Sequence, residues 1–204
     1  MTEAHSERLS DILKRLAQNS NPDLTLGDIV KALGERGFGA LILLLAAPNL
    51  IPLPPGSSFV FGVPLLFITA QLMIKQDKMW LPKRMVEMRV GGGRLPFLLE
   101  RLVPPVMKVE KLLKPRGTLL TSSYGERLAG LAGLFCAIVL LLPIFGANMA
   151  PAFALCCFAL GLIENDGIAM AAGWLGTMAT VVILILLYLF GTAIFAFLSN
   201  WISP

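Results

Sequence analysis

Three long stretches of this chain contain no charged residue: Phe38 to Ile74, Leu128 to Ile163, and Gly167 to Pro204. No other feature limits the fold as strongly. A soluble element keeps one face polar, and runs of this length and character have no face to offer water. Hydrocarbon is the solvent they suit. Backbone groups in hydrocarbon must be satisfied within the segment, so helices are expected. The 56% hydrophobic and 15% charged fractions of the 204 residues agree with this reading, which is outside the range of ordinary soluble domains. The expectation is an all-α polytopic membrane protein forming a single membrane domain over residues 1–204.

The two inner runs repeat a pattern. Glu35-Arg36-Gly37 leads into apolar sequence that breaks at Asn49-Leu50-Ile51-Pro52. Glu126-Arg127-Leu128 does the same and breaks at Asn148-Met149-Ala150-Pro151. Each copy closes on a polar cluster, Lys75-Gln76-Asp77 or Glu164-Asn165-Asp166. Repeated apolar units broken by Pro and Asn are a transporter signature, with the break near the solute site. Repeat one spans about 7–77 and repeat two about 100–166. The second overlaps a basic amphipathic connector at about 78–125, and a membrane segment at 167–202 follows.

Four prolines between Pro48 and Pro55 exclude a straight helix there. The flanking pieces, Phe38–Ala47 and Phe59–Ile74, would reach about 15 and 24 Å at 1.5 Å per residue. The first is too short for a hydrocarbon core of about 30 Å. A re-entrant hairpin is therefore expected, with a pair of short tilted spans as the alternative. The last run leaves two choices, one long tilted helix or two short ones broken near Gly173 and Gly176. Ser6–Gln18 and Thr25–Gly34 read as short helices, the first amphipathic, and Leu95–Lys114 as an interfacial helix.

Charge sets the orientation. Twelve of the 17 Lys and Arg lie between Lys75 and Arg127, against five acids, a surplus of seven. A basic loop between apolar hairpins reads as cytoplasmic. Met1 to Ser20 is polar, so no cleavable leader is expected. Together these place the chain in the bacterial inner membrane, multi-pass, with its N-terminus and basic connector cytoplasmic. The basic surplus suits anionic headgroups better than nucleic acid, which is not expected as a partner. Cys136, Cys156 and Cys157 sit in apolar runs and read as small hydrophobic residues. With His5 as the lone histidine, no metal site is expected.

The strings Glu35-Arg36-Gly37-Phe38-Gly39 and Ala47-Pro48-Asn49-Leu50-Ile51-Pro52-Leu53-Pro54-Pro55-Gly56, with Gly161-Leu162-Ile163-Glu164-Asn165-Asp166-Gly167 in the second half, resemble the ExoD family of bacterial membrane proteins. The resemblance covers roughly residues 7–190. The family's name implies a link to exopolysaccharide synthesis but names no reaction.

Candidate residues follow from the breaks. Asn49, Pro52, Pro55, Gly56, Asn148, Pro151 and Gln71 are candidates for binding a solute, because broken helix ends expose partial charges and asparagine can both donate and accept. Turn chemistry alone is the alternative for the breaks, and a hydrogen bond to a neighbouring helix is the alternative for Gln71. Glu35, Arg36, Glu126, Arg127, Glu164 and Asp166 are candidates for gating or proton coupling, with solvated helix ends and interfacial ion pairs as the alternative. Gly91-Gly92-Gly93 lacks the Gly-Lys-Ser/Thr of a phosphate loop, and no nucleophile–base set is present. No enzyme activity and no cofactor are expected.

The leading functional expectation is a small secondary transporter or exporter of a small polar solute, with a lean towards a cation if the solute is charged, acting as a homodimer in the lipid bilayer by alternating access between inverted-type repeats. A non-transporting accessory protein that assembles with polysaccharide-synthesis proteins is the alternative. A lipid scramblase is a third option.

Overall fold

The computed structural model describes residues 25, 27, 37–50, 57–76, 80, 82–87, 113, 119–142 and 148–202. Among these residues it is all-helical, with five principal helices: α1 (Gly37–Ala46), α2 (Ser57–Met73), α3 (Ser123–Leu141), α4 (Met149–Glu164) and α5 (Gly167–Ile202). A 3-10 turn, Ala47–Leu50, prolongs α1; another, Leu119–Thr121, precedes α3; Lys83–Val86 forms a single helical turn. The sequence expectations over 6–18, most of 25–34 and 95–114 lie outside the described residues.

Local chemistry sets the helix ends. Pro48 would clash with the carbonyl four residues back, so the α-helical part of α1 stops at Ala46 and the chain tightens into a 3-10 turn. Ser122 caps α3, its Oγ accepting from the Gly125 N–H at 3.3 Å. Leu142, which ends α3, is extended at φ −71° and ψ 130°, as a residue before proline prefers. Between α4 and α5 the turn is tight. Asn165 is left-handed (φ 51°, ψ 39°), a conformation asparagine tolerates. Its N–H and that of Asp166 both donate to the Gly161 carbonyl, closing the end of α4.

Glycines fix the pairing. A Cβ on Gly130 would lie 2.5 Å from the Met73 backbone nitrogen, and one on Gly62 would lie 2.7 Å from Leu141. Gly133 faces Thr69 between them. Helices α2 and α3 thus run antiparallel with their backbones close, as small residues permit in apolar bundles. On the other side, Gly161 meets Met170, Gly173 meets the Phe158 ring and Gly176 meets Ala154, which makes α4 and α5 antiparallel too. Phe158 also stands edge-on to Trp174 with ring centroids 5.8 Å apart. Of the two alternatives for the last run, the single long helix is the one formed: α5 is continuous at Gly173 and Gly176, whose glycines serve close packing.

Helix α1 packs against α2 and α4, and α3 packs against the same two. Every residue of α1 except Phe38 is buried. A helix apolar all round is stable only when surrounded. Leu41, Leu45, Leu65, Ile68, Leu140, Leu155 and Phe158 form the centre. Two helical stretches are long and apolar enough to cross a membrane, Ser123–Leu141 and Gly167–Phe195. The shorter apolar stretches Gly37–Leu50, Phe61–Met73 and Met149–Glu164 are not.

Candidate functional site: the two chain breaks

The direction of the helices places both breaks at one end of the body. Helices α1 and α3 run toward that end, and α2 and α4 start from it. The opposite end gathers charges: Lys75 after α2, Glu126 and Arg127 in the first turns of α3, Glu164 and Asp166 after α4. Lys75 Nζ donates to Ser123 Oγ across this end.

At the first break the Asn49 side chain is buried. Its Nδ2 donates to the Leu45 carbonyl at 3.0 Å, filling an acceptor that the end of α1 leaves open. Its Oδ1 is buried and accepts no hydrogen bond. A buried orphan acceptor of this kind costs about 1–3 kcal/mol. Pro52, Pro55 and Gly56 lie outside the described residues. At the second break Asn148 is helical (φ −72°, ψ −18°) and does not cap α4 with its side chain. Its carbonyl accepts from the Ala152 N–H at 3.1 Å. Pro151 is buried in the first turn of α4, where its missing N–H would have had no partner in any case.

The other candidates have structural partners. The Gln71 amide grips the backbone of Trp80 on both sides, Nε2 donating to the Trp80 carbonyl at 2.6 Å and Oε1 accepting its N–H at 2.7 Å. Nε2 also reaches the Phe67 carbonyl at 3.2 Å. Gln71 therefore ties the end of α2 to the segment after it. Asp166 is buried and caps α5, its Oδ1 accepting from the Ile168 N–H at 2.8 Å. Glu164 is half-buried at the end of α4.

Glu126 and Arg127 are adjacent on a helix, so their side chains diverge and no ion pair joins them. Glu126 sits in the first turn of α3, where a carboxylate suits the helix dipole. Glu35 and Arg36 lie outside the described residues. The three cysteines are unpaired thiols inside the body, as expected of small apolar side chains. The Cys136 sulfur meets Thr177 Oγ1 at 3.7 Å, where α3 touches α5. Among the described residues no group of three His, Cys, Asp or Glu side chains could hold a metal.

The structural roles of two candidate residues were not read from the sequence. The Gln71–Trp80 clamp joins residues nine apart through backbone groups, so no side-chain pattern announces it. Asp166 followed by Gly167 and a long apolar run is, in retrospect, a readable helix start.

Comparison with known proteins gives a consistent result. The family described as "Exopolysaccharide synthesis, ExoD" matches residues 9–186. Protein ExoD of Rhizobium meliloti is 32% identical over 182 residues, covering 87% of this chain and 74% of the relative. An uncharacterized protein of Synechocystis sp. is 27% identical over 204 residues, covering 97% of this chain and 95% of the relative. No solved structure matches. The match runs through both hairpins and into α5, and the chain belongs to the ExoD family.

Proposed function

We propose that this protein is an integral membrane accessory of exopolysaccharide synthesis or export, acting by assembly with the polymer machinery rather than by chemistry of its own. The observation that carries this reading is the family match over residues 9–186, under a description that names exopolysaccharide synthesis. The site geometry supports it. Gln71, a candidate for binding a solute, and Asp166, a candidate for gating, are engaged by backbone groups at the end of the body away from the breaks. The protein resides in the bacterial inner membrane, with the charged end and the basic connector facing the cytoplasm. The surplus of Lys and Arg between Lys75 and Arg127 supports that orientation.

Deletion and complementation in a polymer-producing host tests the role, combined with cross-linking and purification of the tagged chain in mild detergent. Polymer yield should fall on deletion, recover with the wild-type gene, and membrane proteins of polymer synthesis should be recovered with the chain. Unchanged polymer yield would sink the reading.

One observation favours a second reading, transport of a small polar or cationic solute. Asn49 holds an unsatisfied oxygen at a helix break inside an apolar body. Such an oxygen suits a cation or a hydrogen-bond donor. The crosswise packing of the two hairpins, α1 on α4 and α2 on α3, supports a pair of related repeats. An Asn49→Leu variant that keeps its partners yet loses function would favour transport. One that keeps both would favour the accessory role.

A further inference from the structure

The long helix α5 does not stop where the body stops. Cys136 of α3 lies five residues before Leu141, and Ala154 of α4 five residues after Met149. Both meet α5 at the same height, Ala154 at Gly176 and Cys136 at Thr177. Helix α5 therefore draws level with the breaks near Val181. From there it runs on to Ile202, about 33 Å at 1.5 Å per residue.

Among the described residues nothing packs on this continuation as far as Phe195. Thr180 is buried, whereas Ile185 to Phe195 are exposed without interruption, on every face of the helix. A Cβ on Gly191 would meet no atom within 4 Å, unlike one on Gly173 or Gly176. No charged residue occurs from Gly167 onward. Among the described residues the broken end from which α5 departs carries no charge, and its rim is apolar, with Phe59, Leu142 and Met149 about half exposed.

Placed across a bilayer, these facts select one arrangement. If the body itself spanned the hydrocarbon, the breaks would face the far aqueous phase. About 33 Å of helix with no polar face would then stand in water beyond them. If the broken end is inside the hydrocarbon, the same segment has the solvent its composition requires. The lengths fit. Helix α5 is about 54 Å long. Tilted by about 40°, the upper range for membrane helices, it covers roughly 41 Å, the thickness of a bilayer with its headgroups. Val181 then lies roughly 16 Å from the charged surface, near the middle.

We propose that the broken end of the body is immersed in lipid hydrocarbon near the bilayer midplane, and that α5 alone completes the crossing, its distal half sheathed in acyl chains. The occupant of the exposed surface is lipid rather than a protein partner, because exposure on all faces exceeds what one neighbouring helix covers. Irregular backbone survives at that depth only when shielded by protein. Among the described residues at the first break, Asn49 and the rest of the 3-10 turn except Leu50 are buried, as that condition requires of them. The inference rests on the membrane reading but not on the polymer role.

Site-directed spin labelling of the full-length chain in lipid nanodiscs tests it. Single cysteines replace Tyr124 at the charged end, Leu142 and Met149 at the broken end, and Phe190 in distal α5, with the native cysteines changed to alanine. All four positions are exposed, so labels there leave the core intact. Labels at 142, 149 and 190 should collide with oxygen several-fold more than with a water-soluble nickel chelate, and the label at 124 should show the reverse. Chelate access at 142 and 149 would overturn the proposal and make the body a spanning one. Low oxygen access at 190 with dipolar broadening between labels would overturn it in favour of a second copy as the cover.

Discussion

Asn49 and Gly125 show how unequal the demands on single residues are. Asn49 spends one half of its amide on the end of α1 and leaves the other buried without a partner. A leucine there removes the orphan acceptor and gives up one hydrogen bond. Asn49→Leu should therefore hold or raise the melting temperature in detergent, by a free energy of up to about 2 kcal/mol. If the oxygen serves function, polymer output falls in the same variant. Gly125 is the opposite case. A Cβ there would stand 2.0 Å from the Leu120 carbonyl oxygen, with backbone on all three nearest contacts. Gly125→Ala should cost about 2–3 kcal/mol, seen as a lower unfolding temperature, since neither partner is a side chain that can swing away.

Helices in this body are placed by where their backbones can approach. The α2–α3 crossing depends on Gly130 against the Met73 backbone, whereas distal α5 has Gly191 against nothing. The same substitution at the two positions should separate these roles. Gly130→Ala should destabilise by about 1–3 kcal/mol. Gly191→Ala should be neutral or stabilising by about 0.5–1 kcal/mol, because alanine is the better helix former. Thermal unfolding of both variants in one detergent compares them directly; equal losses would mean that distal α5 is packed against something. Gln71 acts between elements as well. Gln71→Ala frees the N–H and carbonyl of Trp80, so protease cleavage near Trp80 should quicken while α2 itself stays helical by circular dichroism.

For the molecule as a whole, the division is between a body whose described charges at the helix ends (Lys75, Glu126, Arg127, Glu164, Asp166) gather at one end and a helix that leaves from the other. A lysine tests which solvent surrounds that helix. Phe190→Lys places a charge on the segment proposed to lie in hydrocarbon, and membrane insertion of α5 should weaken by about 3 kcal/mol on the translocon scale. Insertion is read with a glycosylation reporter at either end of the helix. Unchanged insertion would place residue 190 in water or in a polar interface.

Class and boundaries were legible in the chain itself, because they depend on composition and local sterics. Uncharged runs exclude a water-facing surface, proline at 48 and 143 ends helices, and asparagine at 165 allows the left-handed turn; none of these needs a distant partner. The breaks at Asn49 and Asn148 could be found for the same reason. Tertiary structure alone decided how the pieces are used. Gly173 and Gly176 looked like a hinge and are contact points, since a glycine in sequence does not say whether its missing Cβ serves flexibility or a neighbour's approach. Gln71 read as a lining residue or as a bond to a neighbouring helix, and that it grips the Trp80 backbone was not legible, because backbone partners leave no mark in side-chain patterns. The end of the body beyond which α5 continues, on which the membrane placement turns, depends on contacts between residues 22 and 41 positions apart, and local sequence carries no record of them.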